Sequence, residues 1–387
     1  MIKNIRPILL LITLSLVTLA SCQKEQNKET EEAATTSFTD KQLGQLIVVG
    51  FRGTEINKES AIVQDIKKYN LGGFVLFDYD VEQKQYGRNI TDPDQLLQLS
   101  SALVGYSSTP PIIAIDQEGG RVARLKERQG FPKTVSAQYL GEVDNEDTTR
   151  AYIRTMAQEF MVVGVNTNFA PVVDVNTNPD NPVIGSLGRS FSSDPNKVAE
   201  HAGYFIDEFD TEGVLTVLKH FPGHGSSNED SHLGVTDVTN TWDESELIPY
   251  KKLFREKEIH AVMTAHIFNA NIDSVWPATL SSNTINGLLR DSLGFEGVVF
   301  SDDMQMKAIA DEYGLETSIE QALNAGVDIL IFGNNLEFDP NIAEKAINAI
   351  QKLIADGRVS TETIEQALAG IDKLKQDVIA ELCTCLN

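Results

Sequence analysis

Val298 Val299 Phe300 Ser301 Asp302 Asp303 Met304 is a short β-branched and apolar run that stops at two adjacent carboxylates. A run of this length and composition suits a strand buried on both faces, as in a parallel sheet. With Val298 to Phe300 counted, eight such runs lie on the chain; the others are Leu46 to Phe51, Gly73 to Phe77, Pro111 to Ile115, Asn166 to Val173, Leu215 to Lys219, Ala261 to Ala265 and Asp328 to Phe332. Amphipathic stretches with Asp, Ser or Thr near their starts separate them, among them Asp94 to Tyr106, Thr148 to Val163, Pro195 to Phe209, Glu244 to Glu258 and Ser318 to Asn324. Pro340 to Ala355 and Thr361 to Glu381 continue the helical pattern after the last run. Strands alternating with helices in this number predict an α/β fold, a (β/α)8 barrel of the TIM type, with the final helical stretch as an extra cover.

An open doubly wound sheet is the alternative, and the placement of polar residues argues against it. Asp116, Asp174, Lys219 with His220, His266 and Asp302 all stand at or just past the ends of apolar runs. In a barrel the C-terminal ends of the strands converge on one face, where catalytic loops lie. In an open sheet the same residues would be spread along an edge, and fewer could meet one ligand.

The chain has 387 residues, 41% of them hydrophobic and 23% charged, enough for one large α/β domain or two ordinary ones. No shift of composition marks a second folded domain. The formal net charge of −24 excludes nucleic acid as a partner, because phosphate contacts need clustered Lys and Arg. An acidic exterior also repels polyanionic ligands at long range and favours neutral or mixed-charge ones.

Lys3 and Arg6 precede the apolar run Ile8 to Ala20, and Leu19 Ala20 Ser21 Cys22 follows the pattern of a lipoprotein signal. The apolar core is short for a membrane span, so residues 1–21 are expected to be a cleaved signal and Cys22 a lipid anchor. Removing residues 1–21 takes away two positive charges and no acid, leaving −26. Residues 22–39, rich in Gln, Lys, Glu, Asn, Thr and Ala, are expected to be a disordered tether holding a domain at 40–378 to a membrane of the cell envelope. A short tail, 379–387, completes the chain; its Cys383 and Cys385 are too closely spaced to suit a disulfide with each other.

Three loops carry the chemistry. Lys219 His220 Phe221 Pro222 Gly223 His224 Gly225 takes a cation and an imidazole out of a strand and turns sharply at Pro and two Gly. Further along the same loop stands Asp230 Ser231 His232, in which the carboxylate two residues away can take the Nδ1 proton of the imidazole and raise the basicity of the other nitrogen. Asp302 and Asp303 end the run quoted first. Successive strand side chains point oppositely, so Asp302 is assigned as the nucleophile and Asp303 as a structural or helix-capping carboxylate. Asp116 Gln117 Glu118 Gly119 Gly120 Arg121 Val122 Ala123 Arg124 brings carboxylate and guanidinium together, a pairing able to clamp the vicinal hydroxyls of a sugar, while the Gly pair lets backbone approach. No GxGxxG opens a helix here, which excludes a dinucleotide site. Gly185, Gly188, Arg189 and Phe191 supply another loop whose Arg189 can reach the same face.

These motifs, in this order from about residue 40 to 375, resemble family 3 of the glycoside hydrolases, specifically its β-N-acetylglucosaminidase branch. The resemblance implies a (β/α)8 barrel, Asp302 as nucleophile and His232, assisted by Asp230, as general acid/base. It implies that Asp116, Arg124, Arg189, Lys219 and His220 contact the N-acetylglucosamine at the cleaved end, with His266 also counted among substrate-binding residues. No metal or other cofactor is implied, and the protein is expected to be a monomer. Ser226 Ser227 departs from the family pattern, which carries Asp and Thr there, and puts that loop's mobility or leaving-group preference in question. The β-glucosidases of the family draw an acid/base carboxylate from a second domain, for which this chain has no room; with the Asp-Ser-His loop present, acetamido sugars are expected over glucose.

The activity implied is retaining exo-hydrolysis of terminal β-linked N-acetylglucosamine from murein fragments or chitooligosaccharides. Phosphorolysis is an alternative, because a histidine repels incoming phosphate less than a carboxylate does. A lipoprotein that binds glycans without turnover is another, although a pure binder needs none of Asp302, Asp230 and His232.

Overall fold

A computed structural model describes residues 37–231 and 234–380. The signal, most of the tether with Cys22, the residues from 381 onward with Cys383 and Cys385, and His232 lie outside the described residues.

Each apolar run forms a strand, and every pairing between them is parallel. The strands are β1 (Ile47–Gly50), β2 (Gly73–Val75), β3 (Ile112–Ile115), β4 (Thr167–Asn168), β5 (Leu215–Thr216 and Leu218–Phe221), β6 (Ala261–Thr264), β7 (Val298–Asp303) and β8 (Ile329–Phe332). Neighbours in sequence are neighbours in the sheet, and β8 returns to β1 through Ile47↔Leu330, Val48↔Ile331 and Val49↔Phe332. Closure at the opposite side runs through β5. Its first half pairs with β4 (Thr167↔Leu215, Asn168↔Thr216) and its second with β6 (Val262↔Leu218, Thr264↔Phe221). The sheet is a barrel, as the alternation of strands and helices predicts.

A helix follows each strand: α1 (Ala61–Tyr69), α2 (Pro93–Tyr106), α3 (Glu146–Val163), α4 (Pro195–Thr211), α5 (Ile248–Glu256), the π-type α6 (Asn283–Ser292), α7 (Lys307–Ala325) and α8 (Ile342–Ala355). Short polar side chains start several of them. Asp92 accepts the Gln95 N–H at the head of α2, and Asn145 accepts that of Thr148 at the head of α3, satisfying donors that the first turn leaves free. A last helix, α9 (Thr361–Leu374), packs at the N-terminal ends of the strands, where Gly370 meets Val298 at the start of β7.

Two elements differ from the sequence reading for identifiable reasons. The run Asn166 to Val173 is regular strand only at Thr167–Asn168; beyond it lies Pro171, which has no N–H to donate, and the bridge Val172↔Lys219 keeps the segment beside β5. The stretch Ser318 to Asn324 is the end of the longer α7, which breaks at Gly314 (φ 69°).

Packing outside the strands is aromatic where α3 meets α4: Phe160 stands edge-on to Phe209 at 5.2 Å between ring centroids, and both are fully buried. Phe160→Ala is expected to destabilise the protein by about 3–5 kcal/mol, the usual loss for a buried aromatic in a packed interface. Urea unfolding should show a lower midpoint with an unchanged slope; a shift below about 1 kcal/mol would show that this contact does not hold the helices.

Candidate active site

The C-terminal strand ends surround a cavity of about 400 Å³. Its wall takes Asp116, Glu118 and Arg124 from the loop after β3, Arg189 from that after β4, Lys219, His220, His224 and Asp230 from β5 and its loop, and Asp302 from the end of β7.

Charge alternates along one side of it. The Arg124 guanidinium lies 3.0 Å from Asp116 Oδ2, and Asp116 Oδ1 accepts from Lys219 Nζ at 2.7 Å. Lys219 Nζ also reaches Glu118 Oε1 at 2.8 Å, and Glu118 accepts two bonds of 2.7 Å from Arg189. Arg189 then meets His220 Nε2 at 3.2 Å, while His220 Nδ1 lies 2.7 Å from Asp174 Oδ2. Arg124, Lys219 and Arg189 thus face Asp116 and Glu118, and His220 faces Asp174; such pairing is the condition under which charges tolerate burial.

The balance shows in their titration. Burial pushes the Asp116 carboxyl up, but the charges of Lys219 and Arg124 outweigh it and hold the group below the usual carboxylate range. Glu118 is likewise raised by burial and lowered further by Arg189 and Lys219, to about 2. Burial lowers Lys219, yet Asp116 and Glu118 prevail and keep it charged.

The loop after β5 is gripped from below. Asp174 Oδ1 accepts the backbone N–H of His224 at 2.8 Å and that of His220 at 3.2 Å; Asn181 donates to the carbonyls of His224 at 2.7 Å and Gly225 at 3.1 Å. Gly225 passes so close to Val175 that a Cβ would stand 1.7 Å from its carbonyl oxygen, so only glycine fits. The buried His224 ring spans the loop, with Nδ1 2.7 Å from Ser227 Oγ and Nε2 3.3 Å from Ser231 Oγ. Burial, reinforced by His220, lowers His224 to about 4, so it is neutral at pH 7. Of the two serines after Gly225, Ser227 therefore has a defined task, and Ser226 is buried beside the Glu246 carboxyl.

Both aspartates at the end of β7 border the cavity, so the alternation of strand side chains does not set them apart there; they differ in their hydrogen bonds. Asp302 reaches the cavity and accepts the Asp303 N–H at 2.8 Å. Asp303 Oδ1 accepts the N–H groups of Gln305 at 3.0 Å and Gly333 at 2.9 Å, tying the end of β7 to that of β8. His266 does not line the cavity. Its Nε2 donates to the Asp303 carbonyl at 2.9 Å and its Nδ1 meets Thr279 Oγ1 at 2.8 Å, so it braces the turn after Asp302 where the sequence reading had it touching substrate. Among the described residues no three His, Cys, Asp or Glu side chains are arranged to hold a metal ion.

Residues 38–374 match the family description "Glycosyl hydrolase family 3 N terminal domain". The chain belongs to glycosyl hydrolase family 3. As a family 3 glycosyl hydrolase it is an enzyme that cleaves glycosidic bonds. It is 35% identical over 294 residues to a β-hexosaminidase of Tolumonas auensis, covering 75% of this chain and 83% of that one. The β-hexosaminidase LpqI of Mycobacterium tuberculosis is 31% identical, with 86% of this chain and 81% of LpqI covered. Against β-hexosaminidase A of Pseudoalteromonas piscicida the identity is 33% over 80% of this chain, which spans 54% of that relative's length. A family 3 β-N-acetylglucosaminidase from Paenibacillus superposes with a TM-score of 0.80 at 31% identity, over 90% of this chain and 68% of that one.

Four residues in or beneath this cavity went unassigned in the sequence reading. Glu118 stands two positions after Asp116, and Asp174 ends an apolar run, so both carried a signal; His224 lies inside a quoted motif. Glu246 reads in the sequence as one more acid at the head of a helix.

The folded-state pKa of Glu118 lies below that of an unfolded glutamate, about 4.3. Its stabilising charge is complete above that value and is lost as pH falls toward about 2. Glu118→Gln should therefore flatten the acid limb of a stability–pH curve between about pH 4.3 and 2 and lower stability at pH 7; an acid limb equal to wild type would remove Glu118 from the network.

Proposed function

We propose that this glycosidase is a retaining exo-β-N-acetylhexosaminidase that removes terminal β-linked N-acetylglucosamine from murein fragments or chitooligosaccharides. The observation that carries the reading is that Asp302, Asp230 and the cation–carboxylate cluster line one cavity. Relatives of comparable length, named β-hexosaminidases, support the sugar.

In this reading Asp116, Arg124, Arg189, Lys219 and His220 bind the sugar, the charged groups offering both donors and acceptors to its hydroxyls. The Asp302 carboxylate attacks the anomeric carbon and forms a covalent ester as the glycosidic C–O bond breaks. His232, paired with Asp230, gives its proton to the departing oxygen. It then takes a proton from water, which attacks the anomeric carbon and frees Asp302, so the configuration is retained.

Asp302→Ala is expected to lower kcat by at least about 1,000-fold on an aryl N-acetylglucosaminide. His232→Ala should cost about 100- to 10,000-fold on poor leaving groups and far less on activated aryl ones, the signature of a lost general acid. Near-normal turnover by the Asp302 variant, or the α anomer appearing first by NMR, would reject the assignment. Adding phosphate to the assay and looking for the sugar 1-phosphate separates hydrolysis from phosphorolysis.

The cell-envelope location rests on the lipoprotein signal at Cys22. In membrane fractionation, Cys22→Ser should move the enzyme from the membrane pellet to the soluble or retained-precursor fraction; an unchanged lipid-labelled pellet form would refute the anchor.

A further inference from the structure

The segment Trp242 to Tyr250, which leads into α5, lies under the loop that carries Asp230, and the mechanism above leaves it without a role. It holds the start of that loop at three places. The Tyr250 ring stands edge-on to Phe221 at 5.1 Å, the Trp242 indole N–H donates to the Pro222 carbonyl at 3.1 Å, and Glu246 Oε2 accepts the Gly225 N–H at 2.8 Å.

Glu246 is the unusual member. It is fully buried and does not line the cavity. Its stem fills the space below Gly223, where an added Cβ would stand 2.6 Å from Glu246 Cβ. Gly223 itself has φ 122°, so neither the backbone nor the space admits another residue. The carboxyl also draws on Ser226, and neither its Oε1 nor the buried Tyr250 hydroxyl stands in regular hydrogen-bond geometry with any group. A polar group kept at that cost needs a reason beyond packing, since an apolar side chain would fill the volume without desolvating a carboxyl.

We propose that Glu246 is a positioning residue for the acid/base loop: its carboxyl fixes the Gly225 N–H and its stem sets the height of Gly223, which together determine where Asp230 meets the cavity. The role rests on the reading of Asp230 and His232 as the acid/base pair. Burial pushes Glu246 up to about 8, against the pull of Ser226 and with the help of Asp174, so the group is an uncharged acid at pH 7. An uncharged acceptor of the same length is thus sufficient, and glutamine supplies one. Aspartate is one methylene short and cannot both fill the space and reach Gly225.

The test compares Glu246→Gln, Glu246→Asp and His232→Ala on a 2,4-dinitrophenyl and an alkyl β-N-acetylglucosaminide, with inhibition by free N-acetylglucosamine as the binding control. Glu246→Asp should lose about tenfold or more in kcat/KM on the alkyl glycoside and about twofold or less on the dinitrophenyl one, because misplacing a general acid harms the poor leaving group selectively. Inhibition by N-acetylglucosamine should stay within about twofold, and Glu246→Gln should keep most of the alkyl activity. A loss shared equally by both substrates, weakened sugar binding, an Asp variant equal to wild type, or a Gln variant no better than Asp would each overturn the proposal. If His232→Ala fails to separate the two substrates, the acid/base reading falls; if it separates them and Glu246→Asp does not, only the positioning role falls. Alanine is avoided because it would open a cavity under Gly223.

Discussion

An ammonium buried at 2% exposure between two carboxylates is the constraint around which this enzyme is arranged. Lys219 reaches Asp116 and Glu118 together, and removing any of the three would leave a buried charge without its counterpart, a loss of about 3–5 kcal/mol. Because Lys219 lies near the end of β5 while both acids follow β3, the contact ties together two strands that have β4 between them. Arg189 extends the tie to the loop after β4, and His220 with Asp174 carries it to the base of the loop that bears Asp230. The geometry offered to a sugar is therefore set by the protein's own charges before any ligand arrives, which is the general means by which polar sites are preorganised.

Most of the architecture was legible because barrel strands are buried on both faces and so read as unbroken apolar runs. Where the reading overran, at Asn166 to Val173, the segment stays beside its neighbours through separate bonds rather than a regular ladder, an irregularity set by the strands around it. The cavity wall was legible wherever it coincides with a strand end, as for Asp116, Lys219 and Asp302. It was not legible where a role depends on contacts between distant segments. Glu246 touches Gly225 across 21 residues, and His266 turns from the cavity because the Asp303 carbonyl and Thr279 take its two nitrogens. Neither fact has a local signature.

Several polar residues near the cavity thus serve the chain before they serve a ligand. Asp303, His266, Asp174 and His224 hold turns, and each stands beside a residue with a proposed chemical role. His224 does so as a neutral imidazole, so the clasp between Ser227 and Ser231 keeps its charge state through the pH range in which an ordinary histidine titrates.

β5 closes the ring by pairing with one neighbour through its first half and the other through its second, and the half that completes the wall is also the half that presents Lys219 and His220. Shell and reaction centre therefore share the same few peptide units. Divergence has little freedom there, since a change of side chain that suits a new sugar would also have to preserve the seam of the cylinder. The loop after β2, which lines the cavity from outside the seam, carries no such double duty, and it is through it that descendants of this fold can acquire new tastes while the seam stays as it is.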